Sequence, residues 1–344
     1  MHAESATRPV VCFAMSDEAF RTAFDGATLD RLDGFATVLR DDTGAPLLVR
    51  DFGDTDPDVL RGVDTLLTGW GSPYLDAATL GRFDQLRAVV HAAGSVKGIV
   101  DPCVWDAGVV VSTAAESNAV PVAEFTLATV VLAAKRFSRH VAAYRATGDK
   151  RGFDESRLQH GSNGITVGVV GASRIGRRVI DLLHVLDVSV LVSDPFLDAG
   201  EAQSRGAQLV ELPDLLRRSD IVTLHAPAIP ATRHLIDDRA LALMRDGAVL
   251  INTARGSLVD TPALERHVVS GRLDAYLDVT EPEPLPADSP LFALPNVVLT
   301  PHIAGSMGNE VLRLGQVAVD EVERLAQGQP LRFPVRASEL THIA

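Results

Sequence analysis

Cysteine is nearly absent. The chain has two among 344 residues, Cys12 and Cys103. Both lie in apolar surroundings without paired spacing, so neither a disulfide framework nor a zinc pattern follows. No metal site is expected. Lysine is scarcer than arginine, with three among 32 basic residues, and no dense basic stretch occurs. With a net charge of −13 this argues against a nucleic-acid surface. No uninterrupted run reaches the roughly 18 apolar residues of a membrane span. The first nine residues are polar and lack an apolar signal core. A cytoplasmic location, with no membrane partner, is therefore expected.

What is present is the composition of a packed globular chain, 46% hydrophobic and 22% charged. Its length favours two domains. Short apolar runs alternate with helical patterns, which predicts α/β layers around mainly parallel sheets. Strands are expected near Val10–Ala14, Ala36–Leu39, Thr65–Thr68, Ala88–His91 and Val109–Ser112. A second series runs through Ile165–Val170, Val188–Ser193, Ile221–His225, Ala248–Asn252, Leu273–Asp278 and Val297–Thr300. Between the two series one long helix is predicted from about Pro121 to Tyr144, with Pro121 in its first turn and Gly148 as its stop. Residues Gly148–Gly164 read as a connecting loop. A last helix, about Asn309 to Gln327, puts Val311, Leu314, Ala318, Val322 and Leu325 on one face. It is expected to return to the N-terminal domain. The predicted division is 1–116 with 305–344, and 117–304.

The run from Ile165 to Gly176 reads as strand, turn and helix. Gly171 permits a tight turn, Gly176 lets the helix pack closely, and the helix start offers N–H groups to a pyrophosphate. Ser173 stands where the usual G-x-G-x-x-G fingerprint has its second glycine. Serine there either crowds the backbone's approach to the phosphates or offers them its hydroxyl. Asp194, after the next strand, is spaced to accept the adenosine ribose hydroxyls, which favours NAD over NADP.

Three further segments follow buried strands: Asn252-Thr253-Ala254-Arg255-Gly256, Asp278-Val279-Thr280-Glu281-Pro282-Glu283-Pro284, and Thr300-Pro301-His302-Ile303-Ala304-Gly305. Sheets of this class gather ligands at the carboxyl ends of their strands. One imidazole, one guanidinium and carboxylates can therefore converge there. With Gly168–Gly176, Asp194–Phe196 and Asp220–Pro227, these segments resemble the D-isomer-specific 2-hydroxyacid dehydrogenase family across essentially the whole second domain; the first domain matches loosely.

The resemblance implies two doubly wound parallel-sheet domains, a Rossmann cofactor domain and a flavodoxin-like substrate domain. It implies hydride transfer between NAD(H) and C2 of a small 2-oxo or 2-hydroxy acid. Arg255 would bind the carboxylate and polarise the carbonyl, and His302 would be the acid–base group, oriented by Glu283. Glu281 competes with Glu283 for that role. The cofactor would contact Gly171, Ser173, Arg174, Ile175, Gly176, Asp194, His225, Ala226, Pro227, Thr253, Ala254 and Asp278. Backbone N–H groups of Gly94, Ser95 and Val96 would join Arg255 and His302 on the substrate. Val96 and Lys97 depart from the acidic or amide residue the family often has after this turn. Trp70 is read either as a pocket wall or as core. A homodimer is expected. The alternatives on the same fold are a non-catalytic NAD(H)-sensing regulator and a formate- or phosphite-type dehydrogenase. Formate dehydrogenases have glutamine where Pro301 stands.

Overall fold

The computed structural model describes residues 8–149 and 161–340. Most of the predicted connecting loop lies outside the described residues. Two compact units are present, one formed up to Asn118 and again from Ser306, the other by Ala119–Gly305.

In the first unit, β1 (Val10–Ala14), β2 (Thr37–Val38), β3 (Leu48–Val49), β4 (Thr65–Thr68), β5 (Ala88–His91) and β6 (Val110–Thr113) form a parallel sheet. A short strand, Pro334–Val335, pairs antiparallel with β6. The sheet order is β6-β5-β4-β1-β2, with β3 also on β1. Setting β3 aside, this is the 2-1-3-4-5 order of one doubly wound class. β3 and Pro334–Val335 are two-residue strands, too short to show alternation in the sequence.

The helix Asn309–Ala326 belongs to this unit and buries Val311, Leu314, Ala318 and Val322 against Phe13, Phe24 and Leu32. A Cβ on its Gly315 would lie 1.8 Å from the carbonyl oxygen of Ala23, so only glycine permits this approach. Its buried Glu321 accepts the N–H groups of Arg332 and Phe333 and so leads the chain into Pro334–Val335.

In the second unit, β7 (Thr166–Val170), β8 (Ser189–Ser193), β9 (Gln208–Leu209), β10 (Ile221–Leu224), β11 (Val249–Asn252), β12 (Asp274–Leu277) and β13 (Val297–Leu299) form a wholly parallel sheet. Its order, β9-β8-β7-β10-β11-β12-β13, is the dinucleotide-binding 3-2-1-4-5-6 order with one added strand. Both faces are covered, as parallel sheets require. Val167, Val169, Ile180 and Leu183 pack on one side, and Leu215, Leu224, Leu250 and Leu264 on the other. Aspartates at 198, 237 and 260 cap helix starts here, and those at 25, 56 and 76 do so in the first unit. Part of the acidic excess is thus helix capping.

The predicted Pro121–Tyr144 helix is corrected. Two helices run Ala115–Ala134 and Phe137–Thr147. Pro121 lies inside the first, beyond its opening turn. The break falls at Arg136, whose backbone is left-handed (φ 51°). Its guanidinium bonds Asp274 at 2.9 Å and the Gly247 carbonyl, and Arg139 bonds the same carboxylate at 2.6 Å. This buried ion cluster holds a conformation costly for a residue with a side chain. Gly148 ends the second helix in a left-handed cap (φ 65°) as predicted. By length and composition alone Ala115–Ala134 is apolar enough to cross a membrane, but half of it is buried inside the protein. Its Thr126 hydroxyl lies 2.9 Å from that of Thr253.

Two histidines are buried as neutral groups. Burial pulls His91 down to about 4 and His225 down to about 3. Between pH 6.5 and those values the unfolded chain binds protons that the native chain does not, so stability falls as pH falls. The expected slope is up to about 1.4 kcal/mol per pH unit for each histidine. Urea midpoints measured from pH 7.5 to 5 check this, and a midpoint that holds steady across the range contradicts it.

Candidate active site

Strand register builds the site. Ser193, Val170, Leu224, Asn252, Leu277 and Leu299 are successive partners across β8, β7, β10, β11, β12 and β13. Each of these residues ends its strand. The next residues, Asp194, Gly171, His225, Thr253, Asp278 and Thr300, therefore leave the sheet side by side along its carboxyl edge.

At one end lies the glycine turn. Gly171 has φ 93°, and a Cβ there would lie 2.4 Å from the Ala226 nitrogen. A Cβ on Gly176 would lie 2.0 Å from the Gly171 oxygen. These contacts seat the helix Arg174–Leu183 directly on the turn. Ile175 packs on the core beneath. Asp194 binds the turn itself: Oδ2 accepts Ala172 N–H at 2.6 Å and Oδ1 accepts Phe196 N–H at 2.8 Å. Its carboxylate is thus held at the strand end at the position that contacts a ribose in this fold. His225 is buried, with Nε2 2.9 Å from the Thr223 hydroxyl and Nδ1 without a partner among the described residues. The backbone of His225, Ala226 and Pro227 leaves the sheet at this strand end. Thr253 and Ala254 are buried beside it. These residues fit a dinucleotide: a tight glycine turn, a helix start and a fixed carboxylate stand together at the strand ends.

At the other end stands the acid–base pair. His302 Nδ1 lies 2.7 Å from Glu283 Oε1, with the imidazole half exposed. Arg255 is half-buried. Desolvation pulls its guanidinium below arginine's ordinary range, and the nearby charge of Glu283 opposes that. A Cβ on Gly256 would lie 1.9 Å from the Thr280 oxygen, so the Arg255 loop rests directly on the chain leading to Glu283. Glu281 is engaged elsewhere, with Arg233 at 2.8 Å and His234 at 3.3 Å.

His302 has a left-handed backbone (φ 57°), which costs a histidine free energy. Asp278 compensates. Its Oδ1 accepts the Thr300 hydroxyl at 2.6 Å and Ile303 N–H at 2.8 Å, and its Oδ2 accepts Ala304 N–H at 2.9 Å. Its carbonyl accepts His302 N–H at 3.0 Å. The carboxylate assigned above to the cofactor thus spends three acceptor sites on the turn that carries His302. Two bracing residues escaped the sequence reading. Buried Asn252 accepts Ala254 N–H and donates to the Arg255 carbonyl, and Thr300 bonds Asp278. A polar residue closing an apolar strand is the available signal for both.

The Gly94–Val96 loop belongs to the first unit. The Thr113 hydroxyl draws in the carbonyls of Ala93 and Gly94, at 3.1 and 2.8 Å. Planar trans peptides then turn the N–H groups of Gly94 and Ser95 the opposite way, as an anion nest needs. Val96 is fully buried, and Trp70 is 44% exposed, so its indole is not core.

A doubly wound unit with the dinucleotide-binding strand order thus carries a histidine–carboxylate pair and an arginine at its strand ends. Comparison with known proteins gives its family. Residues 128–304 match the sequence model of the D-isomer specific 2-hydroxyacid dehydrogenase NAD binding domain. The chain is 32% identical over 249 residues to a D-3-phosphoglycerate dehydrogenase of Methanocaldococcus jannaschii, covering 72% of this chain and 47% of that protein. It is 37% identical over 256 residues to an (S)-sulfolactate dehydrogenase of Chromohalobacter salexigens, covering 73% of this chain and 81% of the relative. Its fold matches that of the apo D-mandelate dehydrogenase of Rhodotorula graminis with a TM-score of 0.79 at 24% identity, over 96% and 98% of the two chains. The chain spans about half the length of the phosphoglycerate dehydrogenases it matches. It belongs to the D-isomer-specific 2-hydroxyacid dehydrogenase family, and its second unit is that family's NAD-binding domain.

Replacing Asp278 by asparagine leaves one acceptor oxygen for three donors. Asp278→Asn is expected to cost about 2 kcal/mol, read as a lower chemical-denaturation midpoint. An unchanged midpoint would show that the His302 turn holds itself.

Proposed function

We propose that the protein is an NAD-dependent dehydrogenase acting on the CH–OH group of a small 2-hydroxy acid, or in reverse on the 2-oxo acid. The observation that carries this reading is the 2.7 Å His302–Glu283 pair beside Arg255, at the strand ends of an NAD-binding unit. Bound NAD(H) accepts or supplies the hydride at substrate C2.

Glu283 engages Nδ1 of His302, which leaves Nε2 as the atom that exchanges a proton with the substrate oxygen. In reduction Nε2 donates to the forming alkoxide, and in oxidation it takes the hydroxyl proton. Glu283 fixes the ring's orientation through the 2.7 Å bond at Nδ1. Arg255 pairs its planar fork with the substrate carboxylate and polarises the carbonyl. Its desolvation makes an incoming anion welcome, because a partly buried guanidinium is poorly screened by water. Phosphoglycerate and sulfolactate, in the relatives' names, are both 2-hydroxy carboxylates and present these same two groups. Gly94 and Ser95 offer N–H groups to an anion, whereas the buried Val96 does not. Leu132, Phe137 and Tyr144 stand exposed on the helices Ala115–Ala134 and Phe137–Thr147, apolar surface that a second copy would cover in a homodimer.

NADH consumption with glyoxylate, hydroxypyruvate, pyruvate and bulkier 2-oxo acids tests the activity; tight NADH binding with no turnover of any of them would overturn it. His302→Ala is expected to lower kcat by about 10²–10⁴-fold with little change in NADH affinity, as read by stopped-flow turnover and fluorescence titration. Unchanged turnover removes His302 from the mechanism. Asp194→Ala is expected to narrow the preference for NADH over NADPH by about tenfold or more. A wild-type chain that already prefers NADPH contradicts the ribose assignment.

A further inference from the structure

Ser173 stands where the dinucleotide fingerprint has glycine, and its backbone does not call for glycine. It has φ −64° and ψ −178°, a conformation open to any residue. Its hydroxyl oxygen accepts the Gly176 N–H at 3.3 Å and caps the helix Arg174–Leu183. That bond spends one of the N–H groups the helix start would otherwise hold out. A second N–H of the turn, that of Ala172, is spent on Asp194 at 2.6 Å, and a third, that of Gly171, on the Ser193 carbonyl. The serine cap thus leaves the turn one free backbone donor poorer than glycine at the same place would. An accepting hydroxyl keeps its own proton, and among the described residues none accepts it from Ser173. Accepting an N–H also polarises the O–H and makes it a better donor.

We propose that Ser173 is a cofactor-binding residue whose O–H donates to the pyrophosphate of NAD(H), replacing the close backbone approach that glycine provides elsewhere. The oxygen gathers the Gly176 N–H on one side and offers a single directed donor on the other. The inference deepens the NAD reading of this site and rests on it.

The test is equilibrium binding to the full chain, with NADH followed by its fluorescence, and ADP-ribose and adenosine by competition. Ser173→Gly is the informative variant, because glycine preserves nearly all the stability of a serine-capped helix start. Ser173→Ala, with its apo melting temperature, reports the cap. Both variants are expected to raise Kd for NADH and ADP-ribose about tenfold, the order of one hydrogen bond to a charged group. Adenosine, which lacks the pyrophosphate, should bind all three proteins alike. Unchanged NADH affinity in Ser173→Gly overturns the inference, and tighter binding there would mean that serine merely crowds the site. An equal loss for adenosine would also overturn it, by pointing to a distorted turn. If the wild-type chain fails to bind NADH, the underlying reading falls instead, a result distinct from each of these.

Discussion

The carboxylate of Asp278 is the constraint on which the site depends. Buried at the end of β12, it gathers one hydroxyl and two backbone N–H groups from Thr300–Ala304, and its carbonyl takes a third N–H. Those bonds hold His302 in a left-handed conformation that a free chain would leave. The imidazole then meets Glu283 without either side chain having to search for the other. A buried charge is tolerated only where its acceptor sites are filled, and here filling them shapes the site.

The same economy runs along the sheet edge. Asn252 braces the Arg255 loop with both ends of its amide, Gly256 lets that loop rest on Thr280, and Asp194 clamps the glycine turn while remaining at the strand end. The loops after β11 and β13 each carry a group that contacts the ligand in the proposed mechanism, Arg255 and His302, and a bracing residue beside it, Asn252 and Thr300, while Asp278 reaches across from β12. An inventory of chemically active residues therefore understates the site. Asn252 and Thr300 carry no reaction chemistry, yet they set the geometry in which Arg255 and His302 work.

Much of this was legible in the chain. Parallel strands buried on both faces are continuous apolar runs, so β1, β4 and β5 stand at the predicted residues, and six strands of the second sheet within one residue at either end; the two-residue β9 was missed, being too short to show a pattern. Glycine turns and the motifs after β11, β12 and β13 announced themselves because tight turns and strand ends tolerate few residue types. The long helix was misjudged for the converse reason. Nothing in its local pattern disfavours continuity at Arg136. The break is held by Asp274, more than a hundred residues away, and Pro121 is accommodated within a helix that begins earlier.

Composition and pattern determined the alternation of strand and helix, the two-sheet class, the dinucleotide turn and the residue types at the strand ends, because each is written in short-range periodicity or steric permission. Only the tertiary structure decided that Glu283 and not Glu281 meets His302, that Asp278 spends its carboxylate on the histidine turn, and that Ser173 turns its oxygen inward to cap a helix. Those outcomes depend on register between strands and on competition among hydrogen-bond donors in three dimensions, neither of which a linear order of residues encodes.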